Sequence, residues 1–148
     1  MISPLALTPL TPLPLFVPLP ETDLGQVYRG DTVSLPEWEA RVFREDLAPD
    51  GIIVDLTGAS VWFTAKLDLA LQDSDPHTIQ CTTTNGQIEV IDPTLGTYKV
   101  TIPASATQAL SDDTVFVFDV QVRTDDSRTL TVKRGFFTVI RDVTRTTA

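Results

Sequence analysis

Apolar and polar residues alternate with a period of two through most of the chain after residue 25. Successive side chains of a β-strand point to opposite faces, so this period is typical of a strand with one buried face. The longest example, residues 114–123, places four large apolar side chains on one face: Phe116, Phe118, Val120 and Val122. The opposite face begins apolar at Val115 and Val117, which indicates cover on both faces over the first half of this strand.

The same alternation predicts further strands along the chain, at residues 37–43, 60–66, 87–91, 97–102, 129–132 and 136–143. Residues typical of turns separate these segments. Asn85-Gly86 is typical of a tight hairpin and is expected to join residues 78–83 to residues 87–91. Residues 124–127 are expected to form a four-residue hairpin loop after the longest strand.

Short strands with turns about every 8–12 residues predict an all-β fold, an antiparallel β-sandwich of immunoglobulin-like or jelly-roll-like type with about seven to nine strands. One helix is expected, at residues 104–110 after Pro103. The pattern divides the chain into an extended arm at residues 1–24, a sandwich domain at 25–144 and a short tail at 145–148. Strands and helices do not alternate, so a parallel nucleotide-binding sheet is not supported.

The arm contains six of the eleven prolines, which predicts an extended polyproline II conformation. It lacks a basic segment before its apolar stretch, and its prolines break helical structure, so we expect an uncleaved arm rather than a signal peptide. Its apolar side chains would be costly to leave in water. They can pack on the chain's own domain or on a neighbouring subunit, and we favour the neighbour because a stiff segment loses less entropy on docking. The candidate partner-binding residues are Leu10, Leu13, Leu15, Phe16, Val17 and Leu19.

Charge and cysteine content exclude several classes of protein. The formal net charge is −9, which disfavours nucleic acid and anionic membranes as partners. Cys81 is the only cysteine, so no intramolecular disulfide can form, and we expect a buried, inert thiol.

Catalytic and metal-binding patterns are not found. There is no glycine-rich phosphate loop, and one histidine with one cysteine cannot assemble a usual zinc site. His77 is expected to be a solvated loop residue. Three aspartate pairs, 73/75, 112/113 and 125/126, lie in expected turns, where they satisfy backbone donors, and a Ca²⁺ site is the alternative interpretation. We therefore predict no catalytic residue, no cofactor and no metal, and a protein that is not an enzyme.

Trp62 lies on the face opposite Val61 and Phe63. In an exposed position it could stack on a sugar ring. The alternative, which we favour, is that it lies in a second hydrophobic layer or under the arm, because aromatic side chains mostly supply buried area.

Several sequence blocks occur in a recognisable order. They are Gly30-Asp31-Thr32, the segment 54–63 (VDLTGASVWF), Gly96-Thr97-Tyr98, residues 118–121 (FDVQ) and residues 135–139 (GFFTV). In this order, residues 27–144 resemble the N-terminal domain of phage baseplate upper proteins and related small tail-associated proteins.

The resemblance implies a virion structural protein that folds as a β-sandwich. It implies other virion proteins as partners in a homo-oligomeric or symmetric assembly, and a location in the virion after assembly in the host cytoplasm. Baseplate members continue into a helical stalk whereas this sequence ends at Ala148, so we expect a separate subunit of the baseplate, tail or head-neck region. The alternative function is a module that binds a host glycan or receptor.

Overall fold

A computed structural model describes residues 21–42, 51–67, 78–108 and 114–141. Within these ranges the chain forms eleven strands and one short helix. In chain order they are β1 (Glu21–Tyr28), β2 (Val33–Ser34), β3 (Trp38–Glu39), β4 (Arg41–Val42), β5 (Ile52–Ile53), β6 (Ser60–Lys66), β7 (Ile79–Thr82), β8 (Ile88–Asp92), β9 (Thr97–Ile102), α1 (Ala104–Gln108), β10 (Thr114–Arg123) and β11 (Thr129–Ile140). The expected arm up to residue 20, residues 68–77 with His77, and Asp112 and Asp113 lie outside the described residues.

The strands form an all-β sandwich, as the alternation predicts. One sheet has five strands in the order β1-β11-β10-β6-β7. In the second sheet, the central strand β9 pairs with β2, β3 and β8. Strands β4 and β5 form a separate two-stranded sheet. All strand pairs within the described residues are antiparallel except β1–β11, which is parallel. The strand count exceeds the predicted range because β2 to β5 contain only two residues each.

The two sheets pack face to face through one apolar core. The ring of Trp38 on β3 stacks on Phe118 of β10, with centroids 6.1 Å apart, and meets Tyr98 of β9 edge-on at 6.1 Å. At another point, the thiol of Cys81 on β7 lies 3.7 Å from the carbonyl oxygen of Thr101 on β9. Cys81 is buried, as predicted. Stacked and edge-on aromatic contacts such as those of Trp38 stabilise the fold beyond the contribution of the apolar area that they bury.

The predicted break between strands at residues 132 and 136 is wrong, since β11 runs without interruption from Thr129 to Ile140. Gly135 lies in the middle of this strand. A Cβ atom there would lie against the backbone carbonyl of Thr22 on β1 and 2.7 Å from the ring of Phe118. The glycine therefore marks a close approach of β1 rather than a turn.

The predicted single strand at residues 37–43 is also wrong. It is divided into β3, which pairs with β9, and β4, which pairs with β5. The division occurs at Ala40, whose N–H donates to the carbonyl of Gly96 while its own carbonyl accepts from the N–H of Val54. The chain thus changes partners at one buried residue, which period-two alternation cannot reveal.

The predicted hairpin at Asn85-Gly86 does not form, because its two flanking strands belong to different sheets. β7 pairs with β6, whereas β8 pairs with β9. Asn85 still organises the turn, since its side-chain oxygen accepts from the N–H groups of Thr82 and Gln87 at 3.1 and 3.0 Å. The prediction of a turn at Asn85-Gly86 is therefore confirmed, whereas the predicted pairing of the two flanking strands is wrong.

The remaining local predictions agree closely with the structure. Strands at 60–66, 97–102 and 114–123 have the predicted bounds. The helix after Pro103 is present as α1. The β10–β11 hairpin forms as expected, but its loop has five residues, 124–128, rather than the predicted four. The helix is fixed to the β1–β2 turn because the buried hydroxyl of Thr107 accepts from the N–H of Gly30 at 3.1 Å and lies 2.7 Å from the carbonyl of Asp31. β1 begins at Glu21, inside the segment assigned to the arm.

Candidate functional site

The outer face of the five-stranded sheet presents its side chains in rows that cross the strands. One row runs from Glu21 on β1 through Arg134, Asp119 and Thr64 to Gln80 on β7. The rows on either side of it contain Phe136, Val117 and Lys66, and Thr131, Gln121 and Trp62. Alternate residues of each strand supply these rows, so this face is the counterpart of the buried aromatic layer.

A groove of about 470 Å³ lies in the middle of this face. Its volume falls in the range of about 300–1,000 Å³ that ligand-binding clefts occupy. Val117 and Phe136 are half-buried and supply apolar surface, and polar side chains surround them. The outward-facing side chains of the groove are Glu21, Thr64, Lys66, Val117, Asp119, Gln121, Thr131, Arg134 and Phe136.

Charge in the groove is balanced although the chain is strongly acidic. Two acidic side chains, Glu21 and Asp119, accompany two basic ones, Lys66 and Arg134, whereas the whole chain carries −9. The carboxylate of Glu21 lies 2.7 Å from the guanidinium of Arg134 and forms an ion pair across β1 and β11. A locally neutral groove suits an uncharged ligand better than a charged one, because no single sign of charge dominates its walls.

Trp62 lies on the outer face, half-buried, at the margin of the groove. It pairs in register with Gln121 on β10 and with Thr82 on β7. The structure therefore brings Trp62 beside a groove residue and leaves part of its ring accessible.

Further exposed apolar residues occur at the other end of the same face. Val115 of β10 is 53% exposed, so the described residues do not supply the cover that its sequence context predicts. Tyr28, at the end of β1, is 47% exposed. Contiguous exposed apolar surface is characteristic of sites that bind a partner, and these two side chains are the candidates for it at this end of the face.

A second depression lies where the β5–β6 segment meets the β10–β11 loop. Two of its aspartates, Asp55 and Asp126, are engaged in local turns. The N–H of Thr57 donates to Asp55 at 2.9 Å, and the hydroxyl of Thr124 and the guanidinium of Arg128 donate to Asp126. These hydrogen bonds hold the pKa of both carboxyl groups below its ordinary value. Among the described residues, no three His, Cys, Asp or Glu side chains cluster as metal ligands would.

Three titratable side chains inside the sandwich, Cys81, Tyr98 and Lys133, have shifted pKa values. Burial raises the pKa of the Cys81 thiol to about 12, so it is protonated at neutral pH. Among the residues that the structure describes, the buried hydroxyl of Tyr98 has no hydrogen-bond partner, and burial raises its pKa. The ammonium of Lys133 lies 4.6 Å from the centre of the Trp38 ring, and partial burial lowers its pKa. These groups line no common cleft, and nothing in their contacts indicates a reaction.

Sequence reasoning placed Trp62 on the correct face but did not identify the groove. In the sequence of the strands at 60–66 and 114–123, the groove residues are recognisable only as those that alternate with the buried residues. Which of these residues lie next to each other depends on the register between β6, β10 and β11. The sequence of one strand does not by itself specify its register with a neighbouring strand. The six candidate arm residues, Leu10 to Leu19, lie outside the described residues.

Comparisons with known proteins add little. No protein-family model and no curated protein matches the chain. Three chains of solved structures match it, and one of them is murine CRIg. The CRIg match is 13% identical, covers 88% of this chain and 99% of CRIg, and has a TM-score of 0.29. A likeness this weak establishes neither the fold nor the function of the chain. No described helix is long and apolar enough to span a membrane.

Proposed function

We propose that the chain is a structural subunit of a bacteriophage virion, in the baseplate, tail or head-neck region, and that it performs no reaction. It docks on other virion proteins through its N-terminal arm and the outer face of its five-stranded sheet. The order of sequence blocks quoted above supports the virion assignment. The observation that carries the docking role is the apolar surface left open on one ordered sheet face, with Val115 at 53% and Tyr28 at 47% exposure.

The architecture suits such a role in a second respect. A β-sandwich closes its core between two sheets and leaves a rigid outer face, which can be repeated by symmetry in an assembly. The groove on this face is locally neutral, whereas the chain as a whole is acidic. Strong net charge keeps free subunits apart, and a neutral patch is where they can approach a partner.

Incorporation into particles tests the proposal. A chain that lacks residues 1–20 keeps all of β1, including the Glu21–Arg134 ion pair, and its fold is verified by circular dichroism. We expect the full-length chain to co-purify with phage particles and the shortened, folded chain to be absent from them. A full-length chain that never associates with particles, or a folded truncation that is incorporated normally, contradicts the proposal.

Glycan recognition is the second candidate function, and the position of Trp62 favours it. Its half-buried side chain pairs in register with Gln121, so an apolar ring and an amide that can form hydrogen bonds, the two groups that a sugar ring needs, lie on neighbouring strands. On a glycan array we expect binding that Trp62→Ala abolishes and Tyr28→Ala retains. Tyr28 is a suitable control because it is an exposed aromatic residue at the other end of the same sheet. Equal binding by all three proteins, or none by the wild type, removes this candidate.

A further inference from the structure

We infer that the open edge of strand β8 is a docking site for an extended, basic segment of another protein, which joins the second sheet as an added strand. The inference goes beyond the proposed function, because β8 belongs to the second sheet and not to the five-stranded sheet whose outer face carries the groove. Three features support it: the hydrogen-bonding groups along the sheet edges, the exposed apolar side chains at one end of β8, and the charge of Glu89.

Strand β8 pairs with β9 on one side and with no other strand among the described residues. In an antiparallel pair, residues whose backbone groups bond to the neighbour alternate with residues whose groups point away from it. The N–H of Thr101 on β9 donates to the carbonyl of Gln87 at 2.9 Å, and this bond fixes the alternation. The backbone groups of Gln87 and Glu89 therefore point towards β9, whereas the N–H and C=O groups of Ile88 and Val90 point along the open edge.

The two edge strands of the five-stranded sheet carry features that hinder such pairing. At the end of β7, the side-chain oxygen of Asn85 accepts the N–H of Thr82 at 3.1 Å. In β1, the register with β11 shifts between Asp23 and Gln26, and the carboxylate of Asp23 accepts the N–H of Gly25 at 2.7 Å. Bulges and charged side chains commonly block exposed edges, because an open edge is a template for a further strand.

The edge of β8 is open at Ile88 and Val90. Its register with β9 shifts only after Val90, so both residues lie in the regular part of the strand. At the end that follows them, Ile91 is 43% exposed, and Leu95 in the β8–β9 turn is 54% exposed. When a strand is added to a sheet, main-chain hydrogen bonds supply affinity and alternate side chains supply specificity. An added strand therefore meets an acidic and an apolar side chain two positions apart, at Glu89 and Ile91.

The charge of Glu89 excludes a second copy of β8 as the favoured partner. In a two-fold pairing, the outward groups of Ile88 bond to those of Val90 in the other copy, and the two Glu89 side chains lie directly opposite each other. Like charges at opposed positions destabilise a strand pair, and each chain carries a net charge of −9.

A Lys or Arg in the added strand has the opposite effect. The chain already uses this combination on the other side of β8, where Lys99 of β9 lies opposite Glu89. The fitting partner is therefore an antiparallel segment that carries Lys or Arg opposite Glu89 and an apolar residue near Ile91. The acidic surface of the chain also attracts such a segment over a longer range.

Peptide binding to the full-length chain tests the inference. The probe is the fluorescently labelled peptide Thr-Val-Thr-Lys-Thr-Val-Thr, which places Lys between two Val on one face of a strand, and the control peptide has Glu in place of Lys. We expect the Lys peptide to bind about tenfold more tightly in anisotropy titrations, because a cross-strand attraction replaces a repulsion. Equal binding of the two peptides, or binding of neither, overturns the inference.

A matched pair of charge-reversal variants locates the effect. Glu89→Lys changes the residue opposite the probe, and Glu37→Lys makes the same change in net charge just before β3, which pairs with the other side of β9. We expect Glu89→Lys to bind the Glu peptide more tightly than the Lys peptide, and Glu37→Lys to keep the preference of the wild type. Circular dichroism verifies that both variants are folded. A folded Glu89→Lys variant that still prefers the Lys peptide contradicts the inference.

Amide hydrogen exchange of the wild type, followed by NMR, tests the strand pairing without any variant. The N–H groups of Ile88 and Val90 should exchange rapidly in the free chain and several-fold more slowly with the Lys peptide bound. The N–H of Glu89, which points towards β9, should exchange slowly in both states. Slow exchange at Ile88 and Val90 in the free chain means that the edge is already covered, and unchanged rates on binding mean that the peptide lies elsewhere. Either result overturns the inference.

Discussion

The inner and outer faces of the five-stranded sheet consist of alternate residues of the same strands, but they differ in what determines them. On the inner face of β10, Phe116, Phe118, Val120 and Val122 are all at most 4% exposed. On the outer face, the same strand has Val115 at 53% exposure and Val117 half-buried. The inner residues must be apolar and of fitting size because they pack in the core. The outer residues are not constrained by core packing and can serve binding.

The two faces also treat polar groups differently. The core that the inner face covers contains a few, and one of them, the hydroxyl of Tyr98 on the opposite sheet, has no hydrogen-bond partner among the described residues. The outer face pairs its charges in rows, as in the Glu21–Arg134 ion pair. An unpaired polar group is costly in a dry core, and a paired one contributes little at a wet surface. Substitutions on the two faces should therefore differ in size and in sign.

The largest difference is expected between two adjacent residues. Phe118→Ala removes a ring that stacks on both Trp38 and Phe63, so we expect the free energy of unfolding to fall by about 3–5 kcal/mol. Val117→Ala, on the outer face, should lower it by less than about 1 kcal/mol. Urea denaturation of both variants measures the difference. Similar losses at both positions would mean that the outer face is also a packed interior.

A smaller loss of stability is expected at Gly135, where β1 approaches β11 closely. Gly135→Ala places a methyl group against the Thr22 carbonyl and the Phe118 ring, so we expect a loss of about 1–3 kcal/mol from overpacking. Hydrogen exchange should show faster exchange of the β1 amides in particular. Gly86→Ala is the control, since its Cβ would meet no atom of the described residues within 4 Å and only its positive φ of 81° is strained. If Gly86→Ala exposes β1 equally, the close approach at Gly135 is not the cause.

An effect of opposite sign is expected at Tyr98. Tyr98→Phe removes a buried hydroxyl for which the described part of the chain supplies no hydrogen-bond partner, so stability should stay constant or rise by about 1 kcal/mol. Tyr28→Phe, at a position 47% exposed, should change nothing. Thermal and urea denaturation measure both. A clear loss of stability in Tyr98→Phe would show that this hydroxyl has a hydrogen-bond partner in solution.

The smallest effect is expected for the ion pair at the edge of the groove. Both side chains are about half exposed, at 49% for Arg134 and 54% for Glu21. Arg134→Gln and Glu21→Gln should each lower the free energy of unfolding by no more than about 1 kcal/mol, and the coupling between them should weaken with added salt. A double-mutant cycle at low and high salt measures it. A coupling above 2 kcal/mol that is insensitive to salt would indicate a desolvated pair.

The strand pattern predicted much of the fold and little of the candidate site. The bounds of β6, β9 and β10 followed from alternation alone, because each has one face in the core along its whole length. The division at Ala40 was missed because both halves keep the same alternation. The hairpin at Asn85-Gly86 was wrong because a turn reverses the chain without specifying which sheet receives the next strand.

The groove required still more information than the fold. Thr64, Gln121 and Thr131 come from three strands, and they meet only because β6, β10 and β11 pair in one register. Glu21 joins them through a parallel pairing between strands more than a hundred residues apart. Such pairing depends on what the rest of the chain buries, so local sequence does not encode it.

The sequence by itself determined the β class, the buried face of each long strand and the chemistry of most turns, because these follow from side-chain period and backbone preference within a few residues. Only the tertiary structure decided which strands share a sheet, that β1 lies parallel to β11 beside Gly135, and that polar side chains of balanced charge form one groove around Val117 and Phe136. Those outcomes depend on contacts between distant segments, and the burial of the common core selects among them.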